Sequence, residues 1–384
     1  LMINKTKTYK KNQSFENFYS AREDSCLAQK KRAITILKEL TNCSEKSRNY
    51  YEVLLRVQND LESEADSIFK ITVFIADEMC LLEDSQLPDY LYHRYRYDIF
   101  PEKKELDDYP PYLQIEPASI CNYRCVFCYQ TDNIFSKKNS GFMGTMDFET
   151  YKNIVDQIVG KVHFLSLASR GEPLICKDLP EMLDYSLNKF LNLKINTNAS
   201  MLTEKLCHTL LNGAVRTVVF SADAAEEPLY SKMRVNGNLE RVLKNIERFQ
   251  NIREKQYPRT KLITRVSGVL FDKEKQNMDS MQNLWGNLVD QVSFVSYNPW
   301  ENIYDAKPNN IKSPCSDLWR RMFIWYDGTV NPCDSDYRST LKIGSILDNP
   351  VNTLWHSSRY ESLRATHIKK MRSGMNPCSK CVVT

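Results

Sequence analysis

Three cysteines, Cys121, Cys125 and Cys128, fall within the run CNYRCVFCY, spaced by three residues and then by two. The run directly follows an apolar segment, Tyr112-Leu-Gln-Ile-Glu116, that reads as a strand. Thiolates are the ligands that hold iron–sulfur clusters. Three of them on one tight loop can hold three irons of a four-iron cube and leave the fourth iron without a protein ligand. An open iron at a strand's C-terminal end is a place for a small molecule to bind and react. The competing readings are a zinc loop or three unrelated thiols. Zinc sites usually show a Cys-x2-Cys unit with a matching second pair, and three-then-two is not that spacing.

The arrangement resembles the radical S-adenosylmethionine (SAM) superfamily, whose signature is Cys-x3-Cys-x-aromatic-Cys. Here Phe127 is the aromatic, and Tyr129 follows the last cysteine. The resemblance implies a [4Fe–4S] cluster that binds SAM through its open iron and places Phe127 and Tyr129 against the cofactors.

Composition fits a cytoplasmic enzyme. The 384 residues allow two or three domains of roughly 150 residues each. Hydrophobic residues make up 42%, enough for ordinary cores. No apolar run approaches the ~20 residues needed to cross a bilayer, and no charged-then-apolar leader marks a signal peptide. Lys and Arg total 52 against 48 acidic residues, and a net +4 so dispersed argues against a nucleic-acid partner. Twelve cysteines without a secretion signal point to a reducing compartment, as metal ligands or buried thiols.

The expected organisation is a helical region over 1–110, an α/β unit over 111–300 and a small cysteine-bearing unit over 301–384. In the first, Ala33, Ile34, Ile36, Leu37 and Leu40 follow helical spacing, as do Leu54, Val57, Leu61, Ala65, Ile68 and Phe69. Two or three helices are predicted without a strand, then a tyrosine-rich stretch from Tyr90 to Tyr97 and a charged linker, Glu102 to Asp108. A cap over the active site and a packing or partner-binding appendage fit this region equally. Cys26, Cys43 and Cys80 lack ligand spacing and read as buried thiols.

From Tyr112 the pattern alternates. Strands are predicted over Tyr112–Glu116, Val162–Ala168, Leu193–Thr197, Thr217–Ser221, Leu262–Leu270 and Val292–Tyr297. Helices are predicted over Phe148–Ile158, Leu179–Phe190, Glu204–Leu211, Leu239–Phe249 and Met278–Leu288. Six such units imply a parallel sheet with helices outside, short of the eight of a closed barrel: a partial (β/α)6 barrel, as in the superfamily. Chemistry in such sheets belongs at the strands' C-terminal ends.

Several motifs fall there. Ser169-Arg170-Gly171-Glu172-Pro173 resembles the family's Gly-Gly-Glu-Pro, with Arg170 where the family has its first glycine. The resemblance makes Glu172 a hydrogen-bond acceptor for the ammonium of SAM. Asn196-Thr197-Asn198 offers ribose or methionine contacts, or an Asx-type turn. Ser221-Ala222-Asp223 and Tyr230-x3-Arg234-x2-Gly237 resemble further family runs, in which Ser221 would touch ribose and Arg234 the methionine carboxylate. Arg265, a charge in an apolar strand, meets a substrate anion or pairs with an internal carboxylate. Tyr297, with Asn298, Trp300 and Glu301, follows the sixth strand and lines the substrate side. Arg265 and Tyr297 are therefore the catalytic candidates.

The last 70 residues hold a second set: Cys315, then Gly328, Cys333, and Cys378-x2-Cys381. Four thiolates complete the ligands of a closed [4Fe–4S] cluster, with a structural zinc site as the alternative. Asp327-Gly328 reads as a hairpin turn between Met322–Tyr326 and Thr329–Asn331, bringing Cys315 and Cys333 together. The motif resembles the SPASM extension of radical SAM enzymes. Its later cysteines do not follow before Thr384, which matches the shortened twitch form with one auxiliary cluster. Cys176 and Cys207 have no assignment.

Together these resemblances imply a radical SAM oxidoreductase. An electron donor such as flavodoxin or ferredoxin reduces the first cluster. SAM breaks to methionine and a 5′-deoxyadenosyl radical, which takes hydrogen from a substrate, and the auxiliary cluster accepts an electron in a two-electron oxidation. A sugar-like or aminocyclitol alcohol is the first substrate expectation, by family analogy. Peptide or protein modification, by crosslinking or epimerisation, is the second. A non-catalytic iron–sulfur binding or sensor protein is the third.

Overall fold

The computed structural model describes residues 15–17, 23–40, 46–63 and 67–384. Its main sheet contains β1 (Phe15–Asn17), β2 (Tyr112–Ile115), β3 (Phe164–Leu167), β4 (Asn192–Thr197) and β5 (Thr217–Ser221). It continues with β6 (Ile263–Leu270), β7 (Gln291–Ser296), β8 (Arg321–Ile324), β9 (Thr329–Asn331) and β10 (Gly344–Ser345). The strand order is β1-β7-β6-β5-β4-β3-β2-β8-β9-β10. From β7 to β8 every pairing is parallel, and antiparallel strands close the two edges. The barrel is thus partial, with six predicted strands and a seventh, β8, supplied by the C-terminal segment.

Alternation explains how the sheet makes both a core and a cavity. In β4 and β6 every second residue is fully buried and its neighbours are half-buried. Leu193 and Ile195 turn outward into the apolar core, while Lys194 and Asn196 line the interior. The helices start where a side chain can satisfy the free N–H groups of the first turn. Asp147, Thr203, Asn238 and Asn277 cap Phe148–Ile158, Glu204–Leu211, Leu239–Gln256 and Met278–Gly286.

Among the described residues five helices precede the barrel: α1 (Glu23–Glu39), α2 (Arg48–Glu62), α3 (Val73–Cys80), α4 (Leu87–Asp98) and the short α5 (Phe100–Lys103). In α2 the buried face is Tyr50, Val53, Leu54, Val57 and Leu61, and Ser47 caps the first turn. The tyrosine-rich stretch is α4 itself, whose Tyr90, Tyr92, Tyr95 and Tyr97 are buried in a separate apolar cluster reaching Tyr112 and Phe164 of the barrel. The charged linker is anchored: Glu105 pairs with Arg56, and Asp107 with Arg96.

Three expectations are corrected here. The N-terminal region contributes a strand, β1, too short for alternation to reveal. Met322–Tyr326 forms part of the main sheet as well as a hairpin, because β8 pairs parallel with β2 over Arg321–Ile324. Its turn spans Trp325–Gly328, with Gly328 at φ +78°, a left-handed conformation that favours glycine. Cys80 is exposed and Cys26 half-buried, so neither is a buried thiol. Cys43 and Ala65 lie outside the described residues.

Candidate active site

The cysteine loop leaves β2 at its C-terminal end and is stitched to the loop after β3. Glu172 N–H donates to the Ile120 carbonyl at 2.9 Å, and Gln130 donates to the carbonyls of Ser119 and Arg170. A Cβ at Gly171 would stand 2.4 Å from the carbonyl oxygens of Ala118 and Ile120. Only glycine permits that approach, so the Gly-Glu-Pro glycine is required by the loop it rests on. A second stitch is the two-residue antiparallel bridge pairing Cys125 with Arg234.

Cys121, Cys125 and Cys128 line one cavity of about 390 Å³ at the C-terminal ends of the parallel strands. Burial pushes the Cys121 thiol up to about 12, with the nearby Glu172 charge adding to it. Burial also raises Cys125 and Cys128, while the Arg234 guanidinium opposes the shift at both. Thiols held this way ionise only against positive charge, which bound iron supplies.

Arg234 is buried, pairs through Nε with Asp223 Oδ2 at 2.6 Å and reaches Cys125 Sγ with NH1 at 3.9 Å. Asp223 also accepts from Val269 N–H at 2.6 Å. The sequence pattern located Arg234 but not this partner. Ser221, Asn196 and Phe127 line the same cavity. The Asn196 Oδ1 is buried with no hydrogen-bond partner. Its neighbours turn elsewhere: Thr197 donates to Glu172 at 2.6 Å, and Asn198 takes Ser200 in an Asx-type turn. The Asx-type turn thus forms at Asn198, while Asn196 faces the cavity.

Two expected cofactor contacts are occupied by the protein. The Glu172 carboxylate accepts from Thr197 Oγ1 at 2.6 Å, Asn198 N–H at 2.7 Å and Leu174 N–H at 3.1 Å. It ties the loops after β3 and β4 together, and a SAM ammonium would have to share its oxygens. Tyr129 donates to the Ser169 carbonyl at 2.6 Å and packs against Phe135 and Tyr337, with part of its ring still facing the cavity. Tyr297 lines the cavity, donates to Glu301 and packs edge-on against Phe271. Arg265 donates through Nε to Gln291 Oε1 at 2.8 Å. Asn298 lines the cavity with neither amide atom hydrogen-bonded.

Arg170, which stands where the family has a glycine, has a role of its own. It is buried and pairs with Glu116 through Nε at 2.7 Å and NH2 at 2.6 Å, donates to the Tyr337 carbonyl and lies over the Trp325 ring. Glu116 and Arg170 are 54 residues apart, and nothing in local spacing marks them.

The second set of cysteines converges from three segments. Burial raises the Cys333 and Cys378 thiols, and the charges of the other cysteines of the set add to it. Arg372, 1% exposed, donates to the carbonyls of Ser313, Cys378, Cys381 and Val383. A guanidinium held, among the described residues, by neutral carbonyls beside four thiols fits an anionic thiolate-bound cluster. Among the described residues, no three or more His, Cys, Asp or Glu are set to hold a single metal ion. A cube binds each thiolate at its own corner and takes them farther apart. Cys176 and Cys207 are core residues. No described helix is long and apolar enough to cross a membrane.

A family model described as the radical SAM superfamily matches residues 115–265, and one described as an iron–sulfur cluster-binding domain, SPASM, matches 315–382. A GTP 3′,8-cyclase of Clostridium botulinum is 28% identical over 192 residues, 49% of this chain and 56% of that protein. The chain thus spans little more than half the length of that relative. An S-adenosyl-L-methionine-dependent 2-deoxy-scyllo-inosamine dehydrogenase of Niallia circulans is 22% identical over 70% of this chain and 91% of its own. Among solved structures, Streptococcus suis SuiB bound to precursor peptide SuiA superimposes with a TM-score of 0.55 at 14% identity, covering 88% of this chain and 84% of its own.

Proposed function

Because the chain belongs to the radical SAM superfamily and carries a SPASM domain, we propose that it is a SAM-dependent oxidoreductase acting on a sugar-like alcohol. The observation that carries this reading is a single cavity shared by three loop thiols, Arg234 (paired behind it with Asp223) and uncommitted amides. When bound, the first cluster and SAM supply a hydrogen-abstracting 5′-deoxyadenosyl radical, and the second cluster an electron acceptor, which together fit oxidation of an alcohol to a carbonyl.

The residues have separable tasks. Cys121, Cys125 and Cys128 hold the first cluster, and Cys315, Cys333, Cys378 and Cys381 the second. Arg234, oriented by Asp223, offers its remaining nitrogens to the methionine carboxylate, and Ser221 and Asn196 offer hydrogen bonds to the ribose. Phe127 and the Tyr129 ring exclude water beside the first cluster. Tyr297 and Arg265 face the substrate. The tyrosine passes a substrate proton toward Glu301, to which its hydroxyl already donates. The proposed parts are 1–110, 111–300 and 301–384, with a flavodoxin- or ferredoxin-type donor in a cytoplasmic setting.

A small hydroxylated substrate is favoured by the cavity's size and by the amide and hydroxyl groups on its wall. The dehydrogenase relative has the same substrate class in its name. Anaerobically reconstituted protein should hold about eight irons, four per cube, and form 5′-deoxyadenosine from SAM with a reductant. Iron without cleavage would leave the sensor reading; tightly bound zinc at the second site would remove the auxiliary cluster alone.

A further inference from the structure

The same cavity continues below the level of the cofactor residues, and its wall there is basic. Lys194 lies one inward-facing position below Asn196 on β4, roughly 7 Å of strand rise toward the barrel floor. Arg321, at the start of β8, and Arg265 on β6 line the cavity with it. Arg321 is held by the Tyr97 hydroxyl and lies over the Tyr112 ring, with no carboxylate within ion-pair distance among the described residues. Arg265 is held by the Gln291 amide and also lines a larger cavity, about 710 Å³, beneath the floor. Lys194 Nζ has no hydrogen bond or ion pair among the described residues; the Tyr112 ring, 5.9 Å away, is its nearest cation–π neighbour.

Cations placed together in a confined space, one of them uncommitted, call for an anion. We propose that the substrate is a hydroxyl-rich small molecule bearing an oxyanion, a carboxylate or a phosphate ester. Its oxyanion seats on Lys194 with Arg265 and Arg321, and its neutral end faces the cysteines. This inference rests on the oxidoreductase reading and narrows it, because an aminocyclitol would bring an ammonium against Lys194 and Arg321, neither of which has a carboxylate within ion-pair distance among the described residues. The electrostatics agree. Burial, with Arg321 and Arg265 next, lowers the Lys194 ammonium to about 7, against the opposing pull of Tyr97 and Glu78. Glu78, the carboxylate that reaches it, already accepts from Tyr90 at 2.6 Å. Asn298, 7% exposed with both amide atoms unpartnered, supplies polar recognition higher in the same cavity.

The test is calorimetric titration of the reconstituted full chain, with SAM present, using glucose 6-phosphate, glucuronate and glucose. At least one charged probe should bind roughly tenfold or more tighter than glucose, and the better of the two identifies the oxyanion. Lys194→Met should remove that preference and Lys194→Arg should keep most of it. Arg321→Gln should weaken it independently, which covers a Lys194→Met protein that does not fold, judged by iron content and circular dichroism. Equal binding of all three probes, or an undiminished preference in folded Lys194→Met, overturns the subsite. 5′-Deoxyadenosine is measured in the same samples. Cleavage without any oxyanion preference overturns the subsite alone, whereas a preference without cleavage supports the subsite and counts against the reaction.

Discussion

The two cysteine sites differ in how the chain reaches them. Cys121, Cys125 and Cys128 come from one loop, and all three line the cavity. Cys315, Cys333, Cys378 and Cys381 come from three segments, and Arg372 ties the carbonyls of Ser313, Cys378, Cys381 and Val383 together beside them. Three thiolates on one loop would leave one corner of a cube open to the cavity. Four thiolates from distant segments would leave no corner of a cube open, and would tie the C-terminus to the barrel. The first arrangement suits binding and reaction, the second electron transfer and stability.

The sharpest way to break this contrast is to remove each set in turn. Replacing Cys121, Cys125 and Cys128 with Ala should abolish 5′-deoxyadenosine formation and lower iron from about eight to about four per chain. Replacing Cys378 and Cys381 should lower iron similarly, yet spare part of the SAM cleavage while stopping oxidised product. Equal loss of cleavage in both would make the second centre chiefly a folding element.

The sites are also joined, and the joint can be cut. Glu116 and Arg170 link the cysteine loop's strand to the Trp325–Tyr337 segment. Glu116→Gln keeps the shape but leaves a buried guanidinium without its counter-charge, which typically costs ~3–5 kcal/mol. Denaturant unfolding should show that loss. A change under about 1 kcal/mol would mean that water or a rearranged carbonyl compensates.

What was readable beforehand follows from the range of the interactions. Thr217–Ser221, Phe148–Ile158 and Glu204–Leu211 have their expected bounds because local periodicity and a capping residue determine them. The helix from Leu239 runs on to Gln256, seven residues past Phe249, because its last turns are mostly polar and carry little apolar signal. β1 is three residues whose partner lies more than 270 residues away, so no window contains it. The same distinction runs through the site. Cysteine spacing and the Tyr-x3-Arg-x2-Gly run located the thiols and Arg234. The partners Asp223, Glu116 and Arg170 depend on contacts between loops. Lys194 went unnoticed because a lysine on the polar face of an alternating strand looks solvated, and here that face lines an interior.

A smaller effect tests how the open site anchors SAM. Arg234→Lys keeps a positive charge but cannot pair with Asp223 and also present a planar fork to a carboxylate. A charge-assisted hydrogen bond is worth ~1.5–3 kcal/mol, so SAM affinity should fall roughly ten- to hundredfold. Iron content should stay the same, since Arg234 is not a ligand. Unchanged affinity, measured anaerobically, would reduce Arg234 to a partner for Asp223 and Cys125.

The smallest expected effect separates the anchor from its surroundings. Ser221 ends β5 and lines the cavity with a neutral hydroxyl. Ser221→Ala removes a single uncharged contact, on the order of 0.5–1.5 kcal/mol, or about two- to tenfold in SAM affinity. The backbone should not respond, because alanine is tolerated at a strand end and the β5–β6 pairing uses main-chain groups. The Ser221 loss should therefore be smaller than the Arg234 loss, with iron again unchanged. A larger loss at Ser221 would move the principal SAM contact from Arg234, beside Cys125, to the end of β5. The methionine carboxylate would then need a different cation, and Arg265, which pairs with β5 from the neighbouring strand β6, is one that the same cavity offers.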